Sequence, residues 1–431
     1  MRGSTPRFSP LEYRDPAPAP WLIALMTGVN RQLILGALMK LRRFDLPAAD
    51  LERLRRAVNP GTAAFLGPAH PEFLTDWMVD KEVSARCSPL MAHWASYEIV
   101  NASPLVRAFW LANNLIANVP GGGGKAYSVQ WARRGHGVLL HPEGTATWQG
   151  ERVSPLLPGL VDMAWTAAEA GAAANDGREV WLVPLVWQLR FVRDARAGLA
   201  REITHIEHAL ALPVSRGPLE TRFGELLCRL LVRQCARLGL ASPEHVLALG
   251  PSHYFAAQHS VLEQLQASLA ERYGPLDADV TRAQFQIRKA MRERGHSDPD
   301  AVRLDRARLL ELQRLTGLDP RLYDRPELAQ ERIAEILKRT RSSLLTHGFA
   351  NVLANTVPVA VAPRTVHVRV AEPIAVHTVF GSRRMTSPED ARAALLAEHA
   401  RRLQHTLDRL GVELASQAGP PAVGNPVCST R

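Results

Sequence analysis

One stretch of the chain, Val180–Trp187 with the sequence VWLVPLVW, is apolar at nearly every position. A strand with one face in water alternates apolar and polar residues, whereas a strand covered on both faces is apolar throughout. The stretch therefore predicts a buried strand. From Thr62 onward, other short apolar runs alternate with helical segments, which is typical of an α/β layer.

The predicted fold is α/β, with a mixed central sheet flanked by helices. We divide the 431 residues into a flexible lead with amphipathic helices (1–58), the first part of the core (59–195), a helical, Arg-rich insertion (196–355), the rest of the core (356–412) and a disordered tail (413–431). The second part of the core holds the period-two strand Thr365–Val370 and a helix that begins at Pro388.

The most apolar long segment, Trp21–Met39, lies near the N-terminus. Asn30, Arg31 and Gln32 interrupt it, and one Arg at the centre of a bilayer costs about 2.5–3.5 kcal/mol. We therefore interpret it as a helix that either lies in a membrane interface or packs on the protein's own core. Basic residues follow at once, as expected beside an anionic surface: Lys40, Arg42 and Arg43.

The composition excludes several classes of protein. Four cysteines lack metal-ligand spacing and predict no disulfide framework, which favours a cytoplasmic protein. The net charge of +10 suits anionic lipid headgroups, nucleic acid or acyl-carrier proteins. Nucleic acid is not a predicted partner, because aromatic residues make up only 6% of the chain and no recognition motif is present. No metal site is predicted.

A His and an Asp follow the short strand predicted at Ala64–Leu66. The segment from Gly67 reads GPAHPEFLTD, so that five residues separate His70 from Asp76. A neutral imidazole can accept a proton near pH 7, and a carboxylate on its other ring nitrogen fixes the tautomer and stabilises the imidazolium. The alternative is an ordinary surface loop.

A second motif, His141-Pro142-Glu143-Gly144-Thr145, follows the predicted strand Val138–Leu140. A glycine at such a turn allows backbone amides to approach a ligand, and the carboxylate can accept from hydroxyl groups. The alternative is a plain turn between a strand and a loop.

Together these motifs resemble one family, the glycerolipid acyltransferases, which include the lysophosphatidic acid acyltransferases. His70 and Asp76 look like the family's first motif, and Pro142–Thr145 like its third. Leu182-Val183-Pro184-Leu185 is similar to the fourth, and Glu372-Pro373 to the closing strand. The resemblance covers roughly residues 60–195 and 357–410.

The resemblance implies a role for each matched residue. His70 would be the general base and Asp76 its partner, while Glu143, Gly144 and Thr145 would bind substrate. Amides of the Gly144–Thr145 turn are candidates for stabilising the oxyanion. The family's phosphate-binding Arg is replaced by Ala146, and among the basic residues that could substitute are Lys125 and Arg152.

The expected activity is transfer of a fatty acyl group from acyl-CoA or acyl-carrier protein to a hydroxyl of a glycerolipid or lysophospholipid-type acceptor, as in phospholipid biosynthesis. These thioesters are co-substrates, and no resident cofactor is expected. The expected location is the cytoplasm, peripheral at the inner face of the cell membrane and in contact with anionic lipid. The alternative is a catalytically inactive, lipid-binding protein on the same fold.

Overall fold

The computed structural model describes residues 12–72, 75–147, 150–277, 280–293, 298–345, 360–381 and 387–429. It contains two compact units. Unit 1 comprises residues 1–188 and 366–417, and unit 2 comprises residues 189–365 and 418–431. The predicted fold class is confirmed, since unit 1 is built on a mixed sheet of eight strands with helices around it.

In chain order, the strands of this sheet are β1 (Leu41–Asp45), β2 (Thr62–Pro68), β3 (Ala92–Ser96), β4 (Leu115–Asn118), β5 (Val138–Leu139), β6 (Glu179–Phe191), β8 (Arg364–Val370) and β9 (Ile374–Ala375). In space, the main strands lie in the order β1-β8-β6-β2-β5-β3-β4, with β9 beside β6.

The central strands of this sheet run parallel. β2 pairs with β5 on one side and with β6 on the other, and Phe65 is level with both Val138 and Leu182. All seven residues of β2 are buried. The apolar run in β6 has the predicted explanation: helices cover both faces of a parallel sheet, so both faces of its strands are apolar. The strand β9 is antiparallel to β6, which makes the sheet mixed.

The helices of unit 1 connect and cover these strands. They are α1 (Pro20–Val29), a π-helical turn segment (Asn30–Leu38), α2 (Ala48–Ala57), α3 (Thr75–Cys87), α4 (Tyr97–Val100), α5 (Pro104–Ala112), α6 (Gly124–Arg133), α7 (Gly159–Ala174), α16 (Val376–Gly381) and α17 (Pro388–Ala415). The α7 side chains Leu160, Met163 and Ala164 share an apolar cluster with Phe65 of β2. This packing fixes the end of β2, where the first motif begins.

Unit 2 is helical, as predicted for the insertion. Its elements are α8 (Arg196–Ala209), α9 (Leu219–Leu238), α10 (Glu244–Leu247), a 3-10 turn (Pro251–His253), α11 (Tyr254–Tyr273), α12 (Val280–Glu293), α13 (Pro299–Thr316), α14 (Pro320–Tyr323), β7 (Glu327–Leu328), α15 (Gln330–Leu344) and β10 (Val423–Gly424). The leucines of α9 lie in the core of the unit, among them Leu226, Leu227, Leu230 and Leu231.

The prediction of a disordered tail from residue 413 is wrong, since α17 continues to Ala415 and residues 418–429 pack on unit 2. In this segment β10 pairs antiparallel with β7, and Val423 and Val427 are buried in the core of unit 2. The reason is tertiary: two valines in a Pro- and Gly-rich segment find an apolar partner in a distant part of the chain. Residues 430 and 431 lie outside the described residues.

The N-terminal prediction also needs correction. The amides of Ala17 and Ala19 donate to the carbonyls of Leu111 and Ala112 at the end of α5, so residues 12–19 are not a flexible lead. Residues 1–11 lie outside the described part. The strand β1, which the sequence did not predict, lies between the two N-terminal helices and joins the sheet beside β8.

Candidate active site

His70 and Asp76 are brought into contact by a strand and a helix. His70 follows the end of β2, and Asp76 lies in the first turn of α3, with Phe73 and Leu74 outside the described residues. Nδ1 of His70 faces Oδ2 of Asp76, and both side chains are largely buried. Asp76 belongs to the helix itself, and its Oδ1 accepts from the Trp77 amide at 2.7 Å.

The backbone around His70 is held on several sides. The His70 amide donates to Oε1 of Glu143 at 2.7 Å, and its carbonyl accepts from the Thr147 amide at 2.8 Å. Three residues before His70, the Gly67 carbonyl accepts from the buried His399 of α17 at 3.0 Å. A Cβ at position 67 would lie 2.4 Å from that ring, so only glycine fits here. The position of His70 is therefore fixed before any ligand binds.

The electrostatics of this pair favour a neutral base beside a carboxylate. Burial lowers the pKa of His70, and Asp76 offsets that effect only in part. Burial alone would raise the pKa of Asp76, but His70, His141 and the Trp77 amide together outweigh it and lower the pKa. His70 is thus available as a proton acceptor at neutral pH through Nε2, because Nδ1 faces Asp76.

Sequence reasoning missed a second His–Asp pair beside the first. Nε2 of His141 lies 3.1 Å from Oδ2 of Asp80, a fully buried residue of α3. The rings of His70 and His141 are stacked, with centroids 4.1 Å apart and planes inclined by 18°. Two signals could have found it. Asp76 and Asp80 are four residues apart, which places them on one side of a helix, and the two histidines follow the carboxyl ends of adjacent parallel strands.

In the second pair, both the histidine and the acid are charged at pH 7. Burial by itself disfavours a charged His141, but the hydrogen bond and the charge of Asp80 outweigh burial and raise the pKa of His141 to about 9. Burial raises the pKa of Asp80 to about 6, although His141 acts in the other direction. At pH 7 the pair is an imidazolium and a carboxylate, stacked against a neutral His70.

Glu143 has a different position from the one expected of a substrate-binding residue. It is fully buried, and its two oxygens accept from the backbone amides of His70 and Ser154, each at 2.7 Å. Burial raises the pKa of this carboxyl to about 7, although the two amides lower it. The side chain joins the first motif to the segment after the third, so we assign it to positioning and not to contact with an acceptor.

The next two residues of the motif form an open turn. Gly144 is exposed and has φ of +72°, a conformation that favours glycine, and its amide donates to the His141 carbonyl at 3.2 Å. That amide is consequently not the oxyanion donor that the sequence suggested. Thr145 is half-buried.

The two basic candidates lie in different surroundings. Lys125 is exposed on α6, and its Nζ lies 3.3 Å from Oδ2 of Asp162 on α7, so its ion pair is with α7 and not with either His–Asp pair. Arg152 is half-buried two residues before Ser154, in the segment whose backbone binds Glu143. Of the two, Arg152 is closer in the chain to the site.

The His70, Asp76 and His141 side chains form the one group in the described part of the chain that could hold a metal ion, with candidate ligand atoms within 4.8 Å of one another. The two rings are nearly parallel. Lone pairs of imidazole lie in the ring plane, so these two run side by side and do not converge on one tetrahedral ion. We therefore interpret the cluster as two His–Asp pairs.

No protein-family model and no curated protein matches this sequence. The function of the chain is therefore inferred from the chemistry of its site.

Proposed function

We propose that the protein is an O-acyltransferase of the glycerolipid type, which moves a fatty acyl group from acyl-CoA or acyl-carrier protein to a hydroxyl of a glycerolipid or lysophospholipid-type acceptor. The observation that carries the proposal is the buried contact between Nδ1 of His70 and Asp76 at the carboxyl end of a parallel strand. The order of motifs along the sheet, with Glu143 joined to His70, supports a glycerol-3-phosphate acyltransferase-like fold.

In this mechanism, Nε2 of His70 takes the proton of the acceptor hydroxyl as its oxygen attacks the thioester carbon. Asp76 holds the ring and stabilises the imidazolium that forms. The tetrahedral intermediate then expels the thiolate, which takes the proton back from His70. No covalent acyl-enzyme is required, because a base beside an alcohol and a thioester suffices for direct transfer.

The N-terminal helix supports contact with a lipid surface. The segment Pro20–Leu38 is long and apolar enough to cross a membrane, and 17% of its most apolar window is buried. Asn30 donates to the Met78 carbonyl on α3 at 2.9 Å, whereas Trp21, Leu25 and Leu33 are 70%, 56% and 53% exposed. One side of the segment thus packs on the protein, and large apolar side chains remain outside, as in helices that lie in a membrane interface.

A basic cleft beside this segment favours anionic lipid. It has a volume of about 140 Å³, and the residues that line it include Arg31, Arg42, Arg43, Arg86 and Glu82. Glu82 is fully buried and forms ion pairs with Arg31 and Arg86. Arg43 also pairs with Asp45, so that four guanidinium groups and two carboxylates still leave a net positive charge, which suits a phosphate group. The cleft and the exposed apolar side chains support the proposal that the enzyme works at the cytoplasmic face of the membrane.

The activity is tested with purified protein, palmitoyl-CoA or palmitoyl-acyl-carrier protein, and a panel of glycerol 3-phosphate, lysophosphatidate and other lysolipids. We expect release of free thiol that depends on the acceptor, and a decrease of about 10²–10⁴-fold in His70→Ala, which is the usual contribution of a general base. His259→Ala, which removes a His 76% exposed on α11, is the matched control.

Full turnover by His70→Ala would contradict the mechanism. Binding to anionic vesicles without thiol release on any acceptor would instead favour the inactive lipid-binding protein.

A further inference from the structure

The strongest unexplained feature of the site is the second pair, His141 and Asp80. An acyl transfer that uses only His70 and Asp76 assigns it no task. Yet the pair is buried and its ring lies directly on the ring of the base. Removing a charged pair from water is unfavourable until the two charges compensate each other. Such a cost beside a reacting group is characteristic of functional sites.

The reaction requires a donor for the oxygen that becomes negative, and three of the nearby backbone amides already have acceptors. The Gly144 amide donates to the His141 carbonyl, the Thr147 amide to the His70 carbonyl, and the Ser154 amide to Glu143. In contrast, Nδ1 of His141 is buried and has no hydrogen-bond partner among the described residues. A buried donor without an acceptor is destabilising, so the arrangement favours a ligand oxygen at this atom.

The charge on His141 depends on the groups that face it. Its Nε2 faces Asp80. Four further titratable groups interact electrostatically with the ring: Asp76 of α3, Glu143 of the same loop, His93 of β3, and His70. Burial lowers the pKa of His93, which therefore stays neutral. The carboxylates Asp76 and Asp80 are the main anions near the ring, and they favour an imidazolium.

We propose that His141 is a second catalytic residue, an imidazolium held by Asp80 that donates its Nδ1–H to the carbonyl oxygen of the acyl thioester and stabilises the oxyanion. This inference rests on the proposed acyl transfer. As the acceptor oxygen bonds to the carbonyl carbon, His70 takes the hydroxyl proton and the carbonyl π electrons move to the oxygen beside His141. When the C=O bond forms again, the C–S bond breaks, and the sulfur leaves with the electron pair and takes the proton from His70. His141 keeps its proton throughout.

The two histidines then have opposite requirements, which a pH profile separates. His70 must be neutral and His141 must be charged. In the wild type, kcat/KM should rise with pH as His70 loses its proton and fall again near pH 9 as His141 loses its own. A residue with only a structural role would not set the alkaline limb of this profile.

The experiment measures thiol release from palmitoyl-CoA, with the acceptor of the panel that gives the highest turnover, between pH 5 and pH 10. We expect His141→Gln to lower kcat by about 10²–10³-fold, as the loss of one oxyanion donor does elsewhere, and to abolish the alkaline limb. Asp80→Asn keeps the His141 ring but removes the carboxylate beside it. His141 should then lose its proton at lower pH, and the alkaline limb should move to lower pH. His259→Gln on α11 is the control, and thermal melting verifies that each variant folds.

Turnover of His141→Gln within about threefold of the wild type, with the alkaline limb unchanged, overturns the proposal. An alkaline limb that stays in place in Asp80→Asn also overturns it, and this second variant decides the matter if His141→Gln does not fold. Neither result affects the role of His70. The absence of thiol release by the wild type on every acceptor would overturn the acyl transfer itself, which is a distinguishable outcome.

Discussion

Each of the two units buries charged side chains, but in different ways. In unit 2, Arg314 and Glu311 lie one turn apart on α13 and are both fully buried. Nε of Arg314 donates to Oε2 of Glu311 at 2.9 Å, and the same oxygen accepts from Gln234 of α9 at 3.0 Å. The charges of Arg314 and Glu311 compensate each other, and their hydrogen bonds join two helices of one core.

In unit 1, the buried charges around α3 are left partly unpaired. Lys81 is 1% exposed, and its Nζ has no hydrogen-bond partner among the described residues. Nδ1 of His93 and Nδ1 of His141 are in the same condition. Single unpaired atoms also occur in unit 2, among them Nη1 of Arg314, so the difference lies in the charges: Arg314 has an anionic partner, whereas the Lys81 ammonium has no hydrogen-bonded partner among the described residues.

The largest expected effect comes from breaking the pair of unit 2. Arg314→Met leaves Glu311 as an unpaired buried charge, and we expect the free energy of unfolding of unit 2 to fall by about 3–5 kcal/mol. Urea denaturation followed by circular dichroism measures it. The control is Arg303→Met, which removes an exposed partner of Asp300 with the same spacing on the same helix and should cost no more than about 1 kcal/mol. Equal effects of the two variants would contradict the distinction between the units.

Removing the buried charge of Lys81 in unit 1 should have the opposite effect on the free energy of unfolding. Burial lowers the pKa of Lys81 to about 8. Below pH 8 the folded state carries the full cost of the buried ammonium, and this cost disappears as the pH rises from 8 towards 10.5, where the unfolded side chain also loses its proton. Lys81→Met should therefore raise the free energy of unfolding by up to about 3 kcal/mol below pH 8, since one pKa unit corresponds to about 1.4 kcal/mol.

This gain should shrink steadily as denaturation is repeated between pH 8 and pH 10.5. Lys125→Met, which changes an exposed lysine on α6, should show no such dependence. A loss of stability in Lys81→Met at neutral pH would indicate that the ammonium has a favourable role in the folded state.

Glu143 sharpens the comparison, because it lies in the site yet resembles Glu311. Both of its oxygens accept from backbone amides. Glu143→Gln turns one acceptor into an NH₂ group that faces an N–H donor, and we expect a loss of about 1–3 kcal/mol in unfolding free energy. Because the His70 amide is one of the two donors, turnover should fall as well, with KM little changed. A higher KM for the acceptor with kcat unchanged would instead support contact between Glu143 and the acceptor.

The smallest expected effect concerns the N-terminal helix. Trp21→Ser with Leu25→Ser removes exposed apolar surface, and we expect at least tenfold weaker binding to phosphatidylglycerol vesicles in a sedimentation assay. Arg42→Gln should weaken binding to these vesicles but not to phosphatidylcholine vesicles. Val412→Ser, at an exposed position of α17, is the control. Unchanged binding in the double variant would contradict the membrane contact.

Much of the fold was predictable because it depends on local patterns. The apolar run at Val180–Trp187 predicted the buried strand β6, and the period of Thr365–Val370 predicted β8. The strand β1 was not predictable, since its sequence LRRFD carries no apolar alternation and its pairing with the sheet is a long-range contact. For the same reason, β10, which contains the buried Val423, and the buried Val427 after it were mistaken for a disordered tail.

For the site, the sequence by itself determined that His70, Asp76 and Glu143 follow strands of an α/β layer, since turns and strand ends are written in local residue types. Only the tertiary structure decided what these residues touch. It joins Glu143 to the backbone amides of His70 and Ser154, and it brings His141 and Asp80 against His70. The physical reason is that a stacking distance or an ion pair depends on the register of two parallel strands and the rotation of a helix, and neither is encoded in the spacing of residues along one segment.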